Sequence, residues 1–584
     1  AGTATLGGNL IENWGAPVTE RGVVLSPVTV NAKPFLDGAG VIKLTATGTG
    51  TGSFTANAAG LAAGTTYAFK AFATHVGGTG YSEARVFTTA GGAVPDIVVT
   101  TDADENDSPA GSAVSLREAV RDAAPGAKIG FAPELDGHVF LLAKGEIAIT
   151  GTITVDASRL INGIVIDAAK RSRHFKVAAG ASLALNKLTL QSGMPAPVSG
   201  TAQPGGAILS LGALTLTDCV LNSNQAGSGS NGQDGAYSTS YPTSGGPGTP
   251  GAAGGAISTT ANLTAVRCRF LSNQAGHGGS GGQGGSTSNP GASTGACGGT
   301  GASAGSGGAI SSAGTLALTD CLFESNKAGA GGSGGSVGYG GNFSGGGQSA
   351  CGDFNAGAAG NSGNGGAVSH EGPFTATGCT FSQNVCYGGG FGGNRTLNGG
   401  VYGQGGSAGS GGAIFTGGGD ALFVNCTVSG NLVQDGYIYG GSGGGLYFKG
   451  TGASLRLVHC TVTGNKGDVW RIGVSGWGLG SGGGVSSEGP AQFDNCLIAG
   501  NVMARGPYPP AMLEENTGGS GVRTFTPATP FPNAPSTVVD PLLTVLSVSG
   551  GALSGHTPKP GSPALNAGTV IAGAPGVDQR GLPR

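Results

Sequence analysis

Seven times in this chain a Cys is followed five residues later by an Asn: Cys219/Asn224, Cys268/Asn273, Cys321/Asn326, Cys379/Asn384, Cys426/Asn431, Cys460/Asn465 and Cys496/Asn501. A two- or three-glycine step and a small or apolar residue precede each pair, as in Gly205-Gly206-Ala207-Ile208 and Gly307-Gly308-Ala309-Ile310. The spacing holds although the number of residues between successive pairs varies. One short unit is therefore stacked repeatedly, with the variable stretches as excursions from it. That pattern requires a solenoid.

Within the unit, Leu214-x-Leu216-x-x-Cys219-x-Leu221-x-x-Asn224 is matched by Leu316-x-Leu318-x-x-Cys321-x-Phe323-x-x-Asn326 and Leu455-x-Leu457-x-x-Cys460-x-Val462-x-x-Asn465. Alternation places the apolar residues of each half on one face of a strand. The two-residue step shifts the phase, and a bend there lets both halves face one core. A third apolar strand follows the Gly-Gly. Three strands and three corners per turn predict an all-β fold, a right-handed parallel β-helix. The aligned Asn are expected to form a carboxamide ladder satisfying turn backbone that cannot join the sheets. The repeat Cys are expected to be a file of small buried hydrophobes.

Composition narrows the function. Gly accounts for 123 of 584 residues, and only 10% are charged, with a net charge of −3, against roughly 25% charged in ordinary soluble domains. So few cations argue against a phosphate-tracking surface, and no nucleic-acid partner is expected. No apolar run approaches the ~18 residues of a membrane-spanning helix, so no membrane insertion is expected either. A start at Ala1, without Met or leader, suits a processed secreted protein or an excised fragment. The ten Cys show no close Cys/His grouping of the zinc kind. Cys297 and Cys351 lie in successive excursions and are candidates for a disulfide in an exported chain; Cys386 also stands off the register.

Residues 1–90 read differently. Segments 3–6, 22–25, 67–72 and 85–87 alternate like short strands between Gly-rich turns. Gly60-Leu61-Ala62-Ala63-Gly64-Thr65-Thr66-Tyr67 resembles the tyrosine corner of fibronectin type III domains, and Val18-Thr19-Glu20-Arg21-Gly22-Val23 and Val86-Phe87-Thr88-Thr89 resemble bacterial members of that family. The resemblance implies a β-sandwich that lacks its first strand, because the opening residues match the family's second. An edge left open in this way is free to take a strand from another chain.

After a linker at 91–95, Ser115-Leu116-Arg117-Glu118-Ala119-Val120 predicts a helix with a capping box. It resembles the helix that opens many secreted bacterial β-helices, with Val114 where those have Cys. The expected domains are a fibronectin-like unit at 1–90 and a β-helix at 96–584. The β-helix divides into a cap (96–137), coils (138–505) and a C-terminal cap or tail (506–584).

The excursions at 227–254, 276–307, 328–365 and 388–411 all follow the Asn and consist mainly of Gly, Ser, Ala and Asn. Leaving from one corner, they pile up on one flank, where solenoid insertions often form the working surface. Their expected ordered form is a bundle of extended, three-fold polyglycine-like segments.

A β-helical lyase needs carboxylates for Ca2+ with an Arg or Lys base, and a hydrolase needs paired Asp/Glu over one groove. The bend before each repeat Cys carries Asp218, Arg267, Asp320, Gly378, Asn425, His459 and Asn495, a mixture that suits a solvated corner. No catalytic residue and no cofactor is assigned. Asp102-x-Asp104-x-Asn106-Asp107 has the alternating oxygens of a Ca2+ loop but no downstream bidentate Glu. It reads as a solvated acidic linker, with Ca2+ as the alternative. Trp470 and Trp477 are candidates for stacking on sugar rings or for clamping their own loop.

The Gly-Gly-Ala-Ile and Phe-x-x-Asn tetrapeptides (270–273, 323–326 and 381–384) resemble repeats of chlamydial polymorphic membrane proteins. The tail, with Asp540-Pro541-Leu542-Leu543, Gly561-Ser562-Pro563-Ala564-Leu565-Asn566-Ala567-Gly568 and Asp578-Gln579-Arg580-Gly581, resembles the end of choice-of-anchor bacterial surface proteins. These resemblances imply a secreted, extracellular or cell-surface location. The resulting expectation is a non-enzymatic structural or adhesive protein whose copies join head to tail, with Thr569, Val570 and Ile571 as the candidate donor strand. Its partners would be further copies and a surface polysaccharide, host or neighbouring cell surface. The alternative is a β-helix that binds or cleaves polysaccharide, as lyase or hydrolase. An ice-binding face is disfavoured, because its regular Thr-x-Thr array is missing.

Overall fold

The computed structural model describes most of residues 4–505. Left out within that span are 13–16, 59–60, 62–63, 90–94, 109–110, 240–241, 288–295, 339–355, 395–402, 435–440, 451 and 468–481. Beyond 505 it describes 511–514, 517–519, 523–526, 542–548, 554–556, 559–560 and 578–579.

Each coil carries three strands. In the coil of Cys219 these are Ile208–Ser210, Ala213–Thr217 and Val220–Asn222. Each pairs in parallel with its counterpart in the next coil, Ile208 opposite Ile257, Leu214 opposite Leu263 and Leu221 opposite Phe270. Among the described residues the outcome is three parallel sheets of 10, 12 and 10 strands around one core, a right-handed parallel β-helix as the alternation predicts. The second sheet already begins at Ile97–Val99 and reaches Arg523–Thr526. The stack thus runs past both expected limits of the coils, because the cap strands pair with it. A further short sheet, from Val385–Cys386 to Ala511–Glu514, adds a fourth side just after the Asn in the later coils.

The bends account for the mixed row before the Cys. All seven residues, Asp218 to Asn495, have positive φ, between 50 and 66°. Gly, Asn and Asp enter that left-handed region most cheaply, so backbone conformation selects the row. The Gly-Gly step is set by two different demands. Its first residue has positive φ, as at Gly307 (70°). Its second has no room for a side chain: a Cβ on Gly308 would lie 2.0 Å from the Gly366 carbonyl oxygen.

The carboxamides form the expected file. Asn326 Nδ2 donates to Phe270 O at 2.9 Å and to Asn384 Oδ1 at 3.0 Å, and its backbone N–H donates to that same oxygen. Its own Oδ1 accepts from both the backbone N–H and the Nδ2 of Asn273. The file starts where Gly193 N–H donates to Asn224 Oδ1. Nearby, the buried His174 places Nε2 against Ile166 O at 2.9 Å and Gln191 O at 3.1 Å. Inside, Phe270, Phe323 and Phe381 stack with centroids 4.5 and 4.8 Å apart. The repeat thiols contact backbone carbonyls, as Cys219 does with Leu185 O and Thr217 O at 3.3 Å.

At the N-terminal end, α1 (Leu116–Asp122) has Ser115 as N-cap and a complete capping box with Glu118. Leu116, Ala119 and Val120 join the solenoid core, which closes the end of the first coil.

The described parts of the glycine-rich excursions form a lattice. Gly229, Gly232 and Gly235 donate their N–H groups to His277, Ser280 and Gln283 carbonyls, and Gly278, Gly281 and Gly284 donate to Ala330, Ser333 and Ser336. The same outgoing segment bonds two return segments, with Gly279 N–H on Thr249 O and Ala302 N–H on Gly279 O. Every third residue meets the same neighbour, the period of a polyglycine helix. Side chains complete it: Ser228, Asn231 and Asp234 accept the N–H groups of His277, Ser280 and Gln283.

Two outcomes are expected. Asn326→Ala strips partners from Asn273, Asn384 and Phe270 O at once, and should cost about 3 kcal/mol. Urea unfolding checks this, and a loss below about 0.5 kcal/mol, the size of an ordinary surface change, would contradict it. The second outcome concerns acid. Burial holds His174, His277 and His370 below the ordinary imidazole value, His174 down to about 4. An unfolded chain returns them to about 6.5 and binds more protons between those values, so stability is present above pH 6.5 and lost as pH falls through that window. His174 alone should contribute about 3 kcal/mol of that loss by pH 4. The urea midpoint should fall steadily from pH 7 to pH 5; a flat profile would contradict neutral buried imidazoles.

Candidate functional site

The N-terminal unit has two facing sheets. β1 (Ala4–Leu10) pairs antiparallel with β4 (Gly52–Ala58). The other sheet contains β2 (Val18–Pro27), β3 (Ile42–Thr45), β5 (Thr66–His75), β6 (Gly78–Tyr81) and β7 (Arg85–Thr88), in the order β3-β2-β5-β6 with β7 also on β5. Leu6, Val23, Leu25, Phe54 and Tyr67 are buried between them.

Two strands cannot cover five. β1 lies directly on β5: a Cβ on Gly8 would come within 2.4 Å of the Ala71 Cβ. Beyond β1, Phe87 stacks on Tyr67 at 5.7 Å and turns an edge to Phe69 at 5.9 Å. Phe69, Ala71 and Phe87 nevertheless stay only partly buried. Among the described residues, no strand pairs with the other edge of β1. An unpaired main-chain edge therefore runs beside apolar side chains, the arrangement that accepts an added strand. Tyr67 of the expected corner is buried here, while 59–60 and 62–63 lie outside the described residues.

The sequence-derived candidates are scattered. Asp104 is held by Arg117 Nε at 2.7 Å and by Lys144 N–H, Asp102 by His138 at 2.9 Å, and Asn106 by Arg121 at 3.1 Å. Three of the four side chains of that acidic stretch, Asp102, Asp104 and Asn106, thus turn to separate protein partners. The acids that do gather are Asp107, Glu105 and Glu118, with ligand atoms within 4.8 Å of one another. Glu118 spends its two oxygens on the Ser115 and Asp107 N–H groups, and hydrogen bonding from Ser115 holds its carboxyl below the ordinary value. On the bend row, Asp218 pairs bidentately with Arg267 at 2.7 and 2.8 Å, and burial raises the neighbouring Asp320 carboxyl. Trp470, Trp477, Cys351 and the donor candidates Thr569, Val570 and Ile571 lie outside the described residues.

Sequence reasoning missed a contact made by the tail. Gln579 Nε2 donates to Gly378 O at 3.1 Å and Thr380 Oγ1 at 2.8 Å, and its Oε1 accepts from Thr427 Oγ1 at 2.6 Å. His556 lies between Ser429 Oγ at 2.8 Å and Thr544 O at 2.7 Å. The only signal was a polar row, Thr380, Ser382, Thr427 and Ser429, at outward strand positions.

Among the described residues, no helix is long and apolar enough to cross a membrane. No family model matches the chain, and no curated protein matches it. Among solved structures it is similar to a Family 28 exopolygalacturonase of Yersinia enterocolitica, at 8% identity and a TM-score of 0.21, over 90% of this chain and 96% of that one.

Cysteine chemistry gives a direct check. Among the described residues, Cys297 is disulfide-bonded, and eight cysteines are free thiols, all but Cys496 buried. Burial pushes the Cys386 thiol up to about 12. In the native protein these eight should resist a bulky thiol reagent, then titrate as eight on denaturation and as ten after reduction. Fast reaction of several thiols in the native state would contradict a sealed core.

Proposed function

We propose that this chain is a non-enzymatic structural or adhesive protein of a bacterial surface, whose copies join head to tail through the open edge of β1. The observation that carries the reading is that this edge borders the half-buried Phe69, Ala71 and Phe87. An extended segment laid along β1 would gain main-chain hydrogen bonds and cover those side chains in one step. Donor and acceptor would lie on different parts of the subunit, so the contact is heterologous and need not close, and filaments result. The strand order of the unit supports a fibronectin type III sandwich without its first strand. The disulfide at Cys297 supports an oxidising, extracellular setting. The resemblance to surface proteins supports a polysaccharide or neighbouring cell as what the fibre meets.

Electron microscopy of the purified protein should show threads, and an excess of a synthetic peptide covering 566–574 should keep it monomeric. A chain that sediments as a monomer at every attainable concentration would remove the reading. Assembly that survives deletion of 568–584 would reject the donor. Release of unsaturated or reducing ends from acidic polysaccharides would place the chain among polysaccharide-cleaving β-helices instead.

A further inference from the structure

The carboxamide file needs an ending, and the chain supplies one that titrates. In each coil the Asn Nδ2 covers a carbonyl of the coil before: Asn224 takes Leu190 O, Asn273 takes Leu221 O and Asn326 takes Phe270 O, at 3.0, 2.9 and 2.9 Å. Strand pairing sets Leu190 opposite Leu221 on one side and Ile166 on the other. Ile166 O is therefore the next carbonyl in that row. The residue placed to cover it is Gly193, in Leu190-x-x-Gly193 where the next coil has Leu221-x-x-Asn224. Gly193 has no room for a side chain: a Cβ there would lie 2.2 Å from Gly206 O and 2.8 Å from Asn224 Oδ1. His174, at the head of the strand Phe175–Val177, takes the place instead. Its Nε2 lies 2.9 Å from Ile166 O and 3.1 Å from Gln191 O. Both partners are carbonyl oxygens, so Nε2 carries the proton and the neutral ring keeps its lone pair on Nδ1. Nδ1 is buried and has no hydrogen-bond partner among the described residues.

We infer that His174 makes this end of the file an acid-opened joint: protonation of its ring opens the coils between Val139 and Gln191, while the first Asn-bearing coils, at Asn224 and Asn273, stay closed. A carboxamide does not titrate in this range, and the two corners ahead of Asn224 carry none, with Ala169 and Gly193 at its position. A proton on Nδ1 places a full charge and an unmatched N–H inside the core. The charged groups around the ring are engaged elsewhere or turned to solvent. Asp167, on the strand Ile164–Asp167, spends Oδ1 on the Ala169 N–H and Oδ2 on Gln191 Nε2. Arg173 is bound to Glu146 and Pro204 O, and Lys187 to Leu160 O. Lys170, Arg171 and Lys176 are exposed. Burial dominates and holds the ring down to about 4, against the opposing pull of the Ile166 and Gln191 carbonyls and of Asp167. An opened coil returns the imidazole to about 6.5, so acid favours the open form throughout that interval.

Amide hydrogen exchange of the full chain tests the joint, with protection at pH 7 and pH 5 expressed against the free-peptide rate at each pH. Strands from Val139–Leu141 to Leu188–Gln191 are expected to lose protection about twentyfold at pH 5, the factor given by values of about 6.5 and about 4. Val220–Asn222 and Arg269–Leu271 are expected to keep theirs, and the loss is expected to reverse at pH 7. His174→Gln offers Ile166 O a donor that takes up no proton, and should show alike protection at both pH values over the first set of strands. His138, exposed and paired with Asp102, remains in that variant, which separates its titration from the effect. If the variant does not fold, the wild-type profile decides alone. Unchanged protection in wild type, a loss spread evenly into the Asn224 and Asn273 coils, or a full loss retained in His174→Gln would overturn the joint.

Discussion

The interaction on which the rest depends is the carboxamide file. A solenoid must turn the chain at every corner, and a turn takes backbone N–H and C=O groups out of the sheets. Buried, they cost free energy unless something pairs with them. One Asn per coil answers this, because a carboxamide offers donors and acceptors together. Asn326 bonds the coil before it through Phe270 O and the coil after it through Asn384 Oδ1. Each unit is thereby fixed in register to its neighbours, and Asn224, Asn273, Asn326, Asn384, Asn431, Asn465 and Asn501 are all fully buried.

Register then propagates outward. The excursions leave just after the Asn, so coils locked at that corner start their glycine-rich segments at equivalent heights. Only then can Gly229, Gly232 and Gly235 meet His277, Ser280 and Gln283 at a constant three-residue interval. Absent side chains permit the approach: a Cβ on Gly279 would lie 1.9 Å from Ser230 O. Sheets hold the coils through in-register strand pairing, and the flanking lattice holds them through main-chain bonds of a second kind. A composition that elsewhere means disorder becomes stiff here because neighbours are supplied at the right spacing.

The coils were legible because alternation and the Cys–Asn spacing act through local geometry, and a shift of one residue would turn Phe323 or Leu318 out of the core. The helix at Ser115 was legible for the same reason, since its cap and Glu118 lie within one turn. The bend row was read as a solvated corner, and the structure adds its cause in the positive φ shared by Asp218, Arg267 and Asn495. Its Gly, Asn and Asp content was the available clue, with Arg267 masking it. The Ca2+ loop could not be judged from sequence, because Arg117, His138 and Lys144, which engage its oxygens, are brought there only by the fold. The tail contact was illegible for a similar reason: Gln579 and Thr380 carry no pattern that pairs them across such a distance in the chain.

The N-terminal unit presents the opposite situation to the solenoid, with backbone left unpaired on β1 beside partly covered aromatics. Amide hydrogen exchange across residues 276–287 and 296–306 of the native protein tests the ordered glycine lattice most directly. Protection comparable to the strands at Leu316–Thr319 and Leu322–Glu324 is the expected result. Exchange as fast as in an unfolded glycine-rich peptide would contradict it.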